Sequence, residues 1–358
     1  MTTGERKREF QIALIPGDGI GPEVVEATIP ILEKVVRKVG HSITWREFPW
    51  GCDYFLATGR MMPEDGLERL RPLDAILLGA IGSPGVPDYI SVGGLILPIR
   101  RGFDQYVNLR PMRTLPGVES PLVRRTGSDL DLICVRENSE GEYVGKGGRH
   151  EIGSAEEWAE QTAVFTRRGI ARIVRFAFEL ASRRPRRLLA SATKSNALQY
   201  SMVLWDEVVE EVASRYPHVE WRPYHVDALA ARMVSHPDTL DLIVASNLFG
   251  DILTDLGAAL TGSLGLAPGA NLNPDGQYPS MFEPIHGSAP DIAGTGTANP
   301  IGTLWAGALM LDHLGLREAH DQLLGAIGRV LAAGTIRTPD LGGSARTSEL
   351  ATAITAEL

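Results

Sequence analysis

The chain has 358 residues, 44% of them apolar, and a formal net charge of −9. That length supports a large core divided over two domains or lobes, and the acidic balance excludes a general nucleic-acid binder, whose phosphate contacts need a basic face. Cys52 and Cys134 form neither a disulfide framework nor a metal-ligand pattern, which implies a reducing, cytoplasmic setting; the apolar run after the N-terminus stops at Pro16, short of a signal-peptide core, and the longest apolar stretch, Ala75 to Ile81, cannot span a bilayer.

In chain order, strand-like runs QIALIP, ITWREF and DAILLGA alternate with the helix-like runs PEVVEATIPILEKVVRKV and PEDGLERLR, the pattern of an α/β protein built on crossover units. A second series follows: DLDLICVRE, a helical stretch from Trp158 to Ser182, RRLLASAT, a helix from Met202 to Arg215, VEWRPYHV and DLIVAS. Residues Gly262 to Pro300 are rich in Gly, Pro and Asn, and amphipathic helices are predicted over Ile301 to Leu314 and Leu316 to Ala333. Gly17, Gly19 and Gly21 lie between a strand and a helix, but their spacing is GxGxG and Pro22 follows. They are read as a tight turn rather than a Rossmann dinucleotide site.

Several charged residues fall at strand ends, where ligands collect in open α/β sheets. Arg100 in LPIRRGFD, Arg110 in YVNLRP and Arg136 at the end of DLICVR can each grip a carboxylate through two parallel hydrogen bonds. Each alone reads first as a structural salt bridge; together, near strand ends, they point to a polycarboxylate. Tyr143 in RENSEGEYVG could serve as a proton donor. Lys194 follows LLASAT and would act as a base if neighbouring cations lowered its pKa, the ordinary alternative being a surface lysine. Asp251 and Asp255 in NLFGDILTDL share one helix face after a strand, with Ser246 and Asn247 as capping residues. With Asp227, after VEWRPYHV, they make an oxygen-ligand set suited to Mg2+ or Mn2+, against helix-dipole complementation as the plainer reading. In FEPIHGSAPDIAGTGTANP, small residues free backbone N–H groups for phosphate, Pro290 and Asp291 resemble the start of a short helix, and Asp291 could accept ribose hydroxyls; a structural loop is the alternative.

These segments together resemble the β-decarboxylating dehydrogenases of 2-hydroxy acids: isocitrate, isopropylmalate, homoisocitrate and tartrate/D-malate dehydrogenases. GDGIGPE, LRP, VRE, NLFGDILTDL and HGSAPDIAG…ANP occur in that order over nearly the whole chain. The resemblance implies a two-lobed α/β fold that is not a Rossmann fold, with mixed sheets flanked by helices, residues 1–106 and 262–358 forming the nucleotide-binding lobe and 107–261 the second. It implies that Arg100, Arg110 and Arg136 hold substrate carboxylates and that Asp227, Asp251 and Asp255 surround the metal. Tyr143 would be the acid and Lys194, with Asp227 beside it, the base. It further implies a homodimer in which Lys194 and Asp227 serve mainly the neighbouring subunit's site. Glu283, His286, Gly287, Ser288, Ala289, Asp291, Ile292 and Asn299 would bind the nucleotide. Asp291 would repel a 2′-phosphate, so NAD is the expected cofactor, with K+ as a further ion.

The loop before Arg100 is expected to choose the substrate. Isocitrate enzymes usually place Ser six and Asn four residues before this arginine, where Gly94 and Ile96 stand. Isopropylmalate enzymes usually place Glu seven before it and Leu four and three before it; here stand Gly93, Ile96 and Leu97. The continuation RRGFDQYVNLRPMR, with RENSEGEY, most closely resembles tartrate/D-malate dehydrogenases, which usually carry Trp and Lys where Gly93 and Pro98 are found. Oxidation of tartrate or D-malate is therefore expected, with 3-isopropylmalate or another malate derivative as alternatives. A silent regulatory subunit would be expected to lack some of Tyr143, Lys194, Asp251 and Asp255, and all four are present.

Overall fold

A computed structural model describes residues 7–122 and 130–358. Its strands in chain order are β1 (Glu9–Gly17), β2 (Ser42–Glu47), β3 (Ala75–Ala80), β4 (Val107–Arg113), β5 (Asp131–Glu137), β6 (Gly141–His150), β7 (Trp158–Val164), β8 (Leu188–Thr193), β9 (Glu220–His225), β10 (Leu242–Ala245), β11 (Pro268–Leu272) and β12 (Ser280–Pro284). Two compact units result: residues 7–105, 114–122 and 258–358, and residues 106–113 and 130–257. The stretch 114–122, expected in the second lobe, lies with the first unit. There Ser120 Oγ donates to the Leu260 carbonyl at 2.6 Å, and Arg337 donates to the Gly117 carbonyl at 2.7 Å.

In the first unit the strand order is β2-β1-β3-β12-β11, parallel except where β11 meets β12. β3 is buried along its whole length, as expected of a parallel strand covered on both faces. Ile15, Ile76, Leu78, Ile99 and Phe103 fill one core, each side chain worth about 1.5–3 kcal/mol on full burial. Helix Gly21–Lys38 turns Val24, Val25, Ile31, Leu32, Val35 and Val36 inward at helical spacing. The turn before it needs glycine. Gly17 and Gly19 have φ of +73° and +59°, and a Cβ on Gly17 would lie 1.9 Å from the Ala80 carbonyl oxygen.

In the second unit the order is β4-β5-β10-β8-β9, with β4 antiparallel to β5 and the rest parallel. β6 and β7 form a separate antiparallel pair. The predicted helix from Trp158 is corrected here: Trp158–Val164 is strand, and the helix runs Arg167–Arg183. Thr166 sets the break, extended in backbone and accepting the Gly169 N–H on its side chain, while pairing with β6 overrides the helix-favouring Ala, Glu and Gln of WAEQTAV.

Three further expectations change. The segment before Arg100 is no loop: helix Asp88–Ser91 passes through a π turn, Val92–Ile96, into helix Leu97–Gly102. Pro98 explains the π turn, because it has no N–H for the carbonyl four residues back and its ring crowds that carbonyl. The expected short helix at Asp291 is a run of turns, with Ile292 N–H bonded to the Ala289 carbonyl and Thr295 N–H to that of Ile292. The Gly-rich stretch from Gly262 contains β11 and β12, and a last helix, Thr347–Glu357, was not foreseen.

Candidate active site

In the second unit, β10 passes directly into helix Asn247–Thr261. Ser246 Oγ accepts the Phe249 N–H at 3.5 Å, and Glu142 accepts the Leu248 N–H at 3.3 Å. The helix presents Asp251 and Asp255 on one face, to which other strands bring cations. Arg136, at the end of β5, donates from Nη1 to Asp251 Oδ1 at 2.5 Å and from Nε and Nη2 to Asn247 Oδ1 at 3.1 and 2.8 Å. Arg110, in β4, donates from Nη1 to Asp251 Oδ1 at 3.3 Å and to Thr254 Oγ1 at 2.7 Å, and lies 3.8 Å from Asp255. The Tyr143 hydroxyl donates to Asp251 Oδ2 at 3.0 Å. Gly250 allows this packing, since a Cβ there would lie 2.5 Å from Arg136 Cγ.

Burial pushes the Tyr143 phenol above its ordinary range, and the Asp251 charge adds to the shift, so the hydroxyl keeps its proton. Burial also raises the Asp255 carboxyl; Arg110 opposes that rise and Asp251 reinforces it.

Lys194, just after β8, donates to Asp227 Oδ1 at 2.5 Å, and this contact holds the Asp227 carboxyl below its usual range. Asp227 sits in the first turn of helix Val226–Ser235. Among the described residues, no three or more His, Cys, Asp or Glu side chains gather as a metal-binding group, so one chain does not bring Asp227 together with Asp251 and Asp255.

The first unit carries the remaining residues. Arg100 and Glu283 form a buried ion pair at 2.6 Å, with Asn271 Nδ2 donating to the same Glu283 oxygen at 2.8 Å. Ile96 ends the π turn and Leu97 starts the next helix, while no atom comes within 4 Å of a Cβ built on Gly93. Gly93 and Gly94 line a cavity of about 520 Å³ with Phe55, Met61, Met62 and Tyr89. The Ser288 carbonyl accepts the Ile20 N–H at 2.9 Å, which seats the glycine turn against the expected nucleotide segment. Gly287 and Ala289 have φ of +67° and +39°, and Asp291 is exposed. Ile292 packs on Ile20, Val24 and Ala298. His286 Nδ1 lies 2.8 Å from the Gly287 carbonyl, and burial holds its imidazole below the ordinary value. Its Nε2 is buried without a partner.

Asn299 is buried and its side chain is committed: Nδ2 donates to Asp340 at 3.0 Å and Oδ1 accepts the Ile301 N–H at 2.9 Å. Asp340 also accepts from Ser263 at 2.6 Å and Thr338 at 2.5 Å. Neither Asp340 nor Asn271 was singled out from the sequence, since their partners lie in other segments and no local pattern marks them.

Parallel and mixed α/β sheets with paired acids on a helix at a strand end, gripped by two arginines, fit the expected class of fold. The chain belongs to the isocitrate/isopropylmalate dehydrogenase family, whose model matches residues 11–354. A probable tartrate dehydrogenase/decarboxylase of Agrobacterium vitis is 54% identical over 348 residues, 97% of each chain. The decarboxylating D-malate dehydrogenase of Escherichia coli K12 is 52% identical over 354 residues, covering 97% of this chain and 98% of its own. Among solved structures, an isocitrate dehydrogenase from Methylococcus capsulatus superposes with a TM-score of 0.89 at 36% identity, over 97% of this chain and 99% of that one. The expected family and fold class are borne out.

Proposed function

We propose that the chain is an NAD-dependent, divalent-metal-dependent dehydrogenase of a 2-hydroxy dicarboxylic acid of the malate type, tartrate or D-malate, with β-decarboxylation where the substrate permits. The names of the A. vitis and E. coli relatives support a decarboxylating hydroxy-acid dehydrogenase. The observation that carries the reading is the convergence of Arg110, Arg136 and Tyr143 on Asp251. The Nε atoms of Arg100 and Arg110 are buried without hydrogen-bond partners, donors that a substrate carboxylate would satisfy.

The donor set also fits a hard cation. Asp251 and Asp255 offer carboxylate oxygens on one helix face, the hard donors such a cation takes. In the nucleotide segment, the unpartnered His286 Nε2 fits a polar ligand group. When bound, Mg2+ or Mn2+ supplies Lewis acidity at the 2-hydroxyl and NAD supplies the hydride acceptor. Arg110 and Arg136 orient the carboxylates and fix which face of the substrate reacts. Lys194, once its ammonium has given up a proton through Asp227, takes up the hydroxyl proton as the free amine, and Tyr143, still protonated, returns a proton to carbon after CO2 leaves. A homodimer, in which a second copy brings Lys194 and Asp227 beside Asp251 and Asp255, completes the site.

The open space at Gly93 favours a second reading, a bulkier malate derivative such as 3-isopropylmalate, for which Ile96 and Leu97 offer apolar contact. The deciding experiment is NADH formation from D-malate, the tartrates, isopropylmalate and isocitrate with Mn2+ and K+. Turnover that survives thorough chelation refutes the metal-dependent reading, and faster turnover with NADP than with NAD refutes the role given to Asp291.

A further inference from the structure

Strands β11 and β12 pair so that Asn271 faces Met281 and Gly269 faces Glu283. Asn271 Nδ2 thereby reaches the Met281 carbonyl at 3.3 Å and Glu283 Oε1 at 2.8 Å. The same Oε1 accepts from Arg100 Nη2 at 2.6 Å. All three side chains are buried, Arg100 and Glu283 at 7% exposure and Asn271 at 0%. A salt bridge serving stability alone would gain most by closing both donors of one guanidinium edge with both carboxylate oxygens. Here one oxygen carries both contacts, and Arg100 Nε stays buried and unpaired. The carboxylate thus fixes the guanidinium without using up its donors, and an unanswered buried donor is costly until a ligand oxygen meets it.

We infer that Asn271 is a positioning residue for substrate recognition, acting through Glu283 on Arg100. Asn271 holds the Glu283 carboxylate in one orientation, Glu283 pins Arg100 Nη2, and the remaining guanidinium donors are left for a substrate carboxylate. This rests on the dicarboxylate reading above, and it moves Glu283 from the nucleotide side, where the family resemblance put it, to the substrate side.

Asn271→Leu keeps the branched outline of the side chain, with somewhat more bulk, and removes the two Nδ2 hydrogen bonds. The expected result is a roughly tenfold weaker Kd for D-malate by calorimetry and a matching rise in KM, about the weight of one hydrogen bond to a charged group. The NAD Kd and kcat stay within about twofold, and the Arg100 Nε–H resonance, slow to exchange in the parent, exchanges quickly. In an Arg100→Ala background the same substitution leaves the D-malate Kd unchanged. Should Asn271→Leu not fold, Asn271→Ala, which removes the same two hydrogen bonds without added bulk, carries the same measurements. Weaker NAD binding with unaltered D-malate binding overturns the inference, as does an equal effect in the Arg100→Ala background. The Arg100 resonance is read without substrate. A parent protein that binds none of the acids therefore defeats the functional reading, while an unmoved resonance defeats the positioning role.

Discussion

Asp251 receives two guanidinium groups and a phenol, so its charge is matched by the side chains that a carboxylate substrate would also engage. Asp251→Asn is expected to abolish metal-dependent turnover and to lower stability by about 1–2 kcal/mol in urea titration, because Arg110 and Arg136 stay buried with less compensation; the partial exposure of Asp251 keeps the loss below that of a fully buried pair. Unchanged stability would mean the arginines find other partners. Tyr143→Phe removes the proposed proton donor but little binding surface. Its kcat for a decarboxylated substrate should fall by roughly 10²–10⁴ with KM nearly constant, and a KM-only effect would reassign the hydroxyl to binding. The acid pair was legible in the sequence, because residues four apart on a helix must share a face. The hydrogen-bond network of Asn271 was not, because a strand pairing ten residues downstream creates it.

The π turn at Val92–Ile96 gives two substitutions of opposite outcome. A Cβ on Gly94 would press on Met61 Cγ at 2.7 Å, so Gly94→Ala should lower the melting temperature by a few degrees, a cost of about 1–3 kcal/mol for overpacking. Gly93 has open space. Gly93→Trp should fold normally and narrow turnover toward the smallest acids of the panel, and unchanged relative kcat/KM values would remove this turn from substrate choice. Helix Ile301–His313 offers a pH test. Burial holds the His313 imidazole below its ordinary value of 6.5, with Asp312 pulling the other way. The unfolded chain then binds the proton more readily than the folded one, so stability is full above about pH 6.5 and is lost as the pH falls through that window. His286 has the same sign, so His313→Gln should flatten the fall in melting temperature between pH 8 and 5.5 without removing it. The sequence showed the alternation of strands and helices but not the π turn, which has no periodicity of its own, nor the Trp158–Val164 strand, whose composition favours helix until β6 pairs with it.

At the scale of the molecule, the proposed sharing of sites between two copies predicts complementation. Lys194→Ala and Asp251→Asn proteins, each inactive alone, should regain activity when unfolded together and refolded. Random pairing leaves half the dimers mixed, each with one intact site, or about a quarter of all sites. No recovery would mean each chain completes its own site. The division into two units was readable from two successive α/β series, but not the return of residues 114–122 to the first unit, which depends on contacts with residues near 260 and 337. The strand order of the first unit also sets a timetable for synthesis. β3 must pair with β12, and that partner leaves the ribosome some two hundred residues later. The second unit closes entirely within residues 106–257 and can settle first. The nascent chain therefore carries an open parallel edge at β3 until β12 has been made, which is the segment most prone to pair wrongly during synthesis.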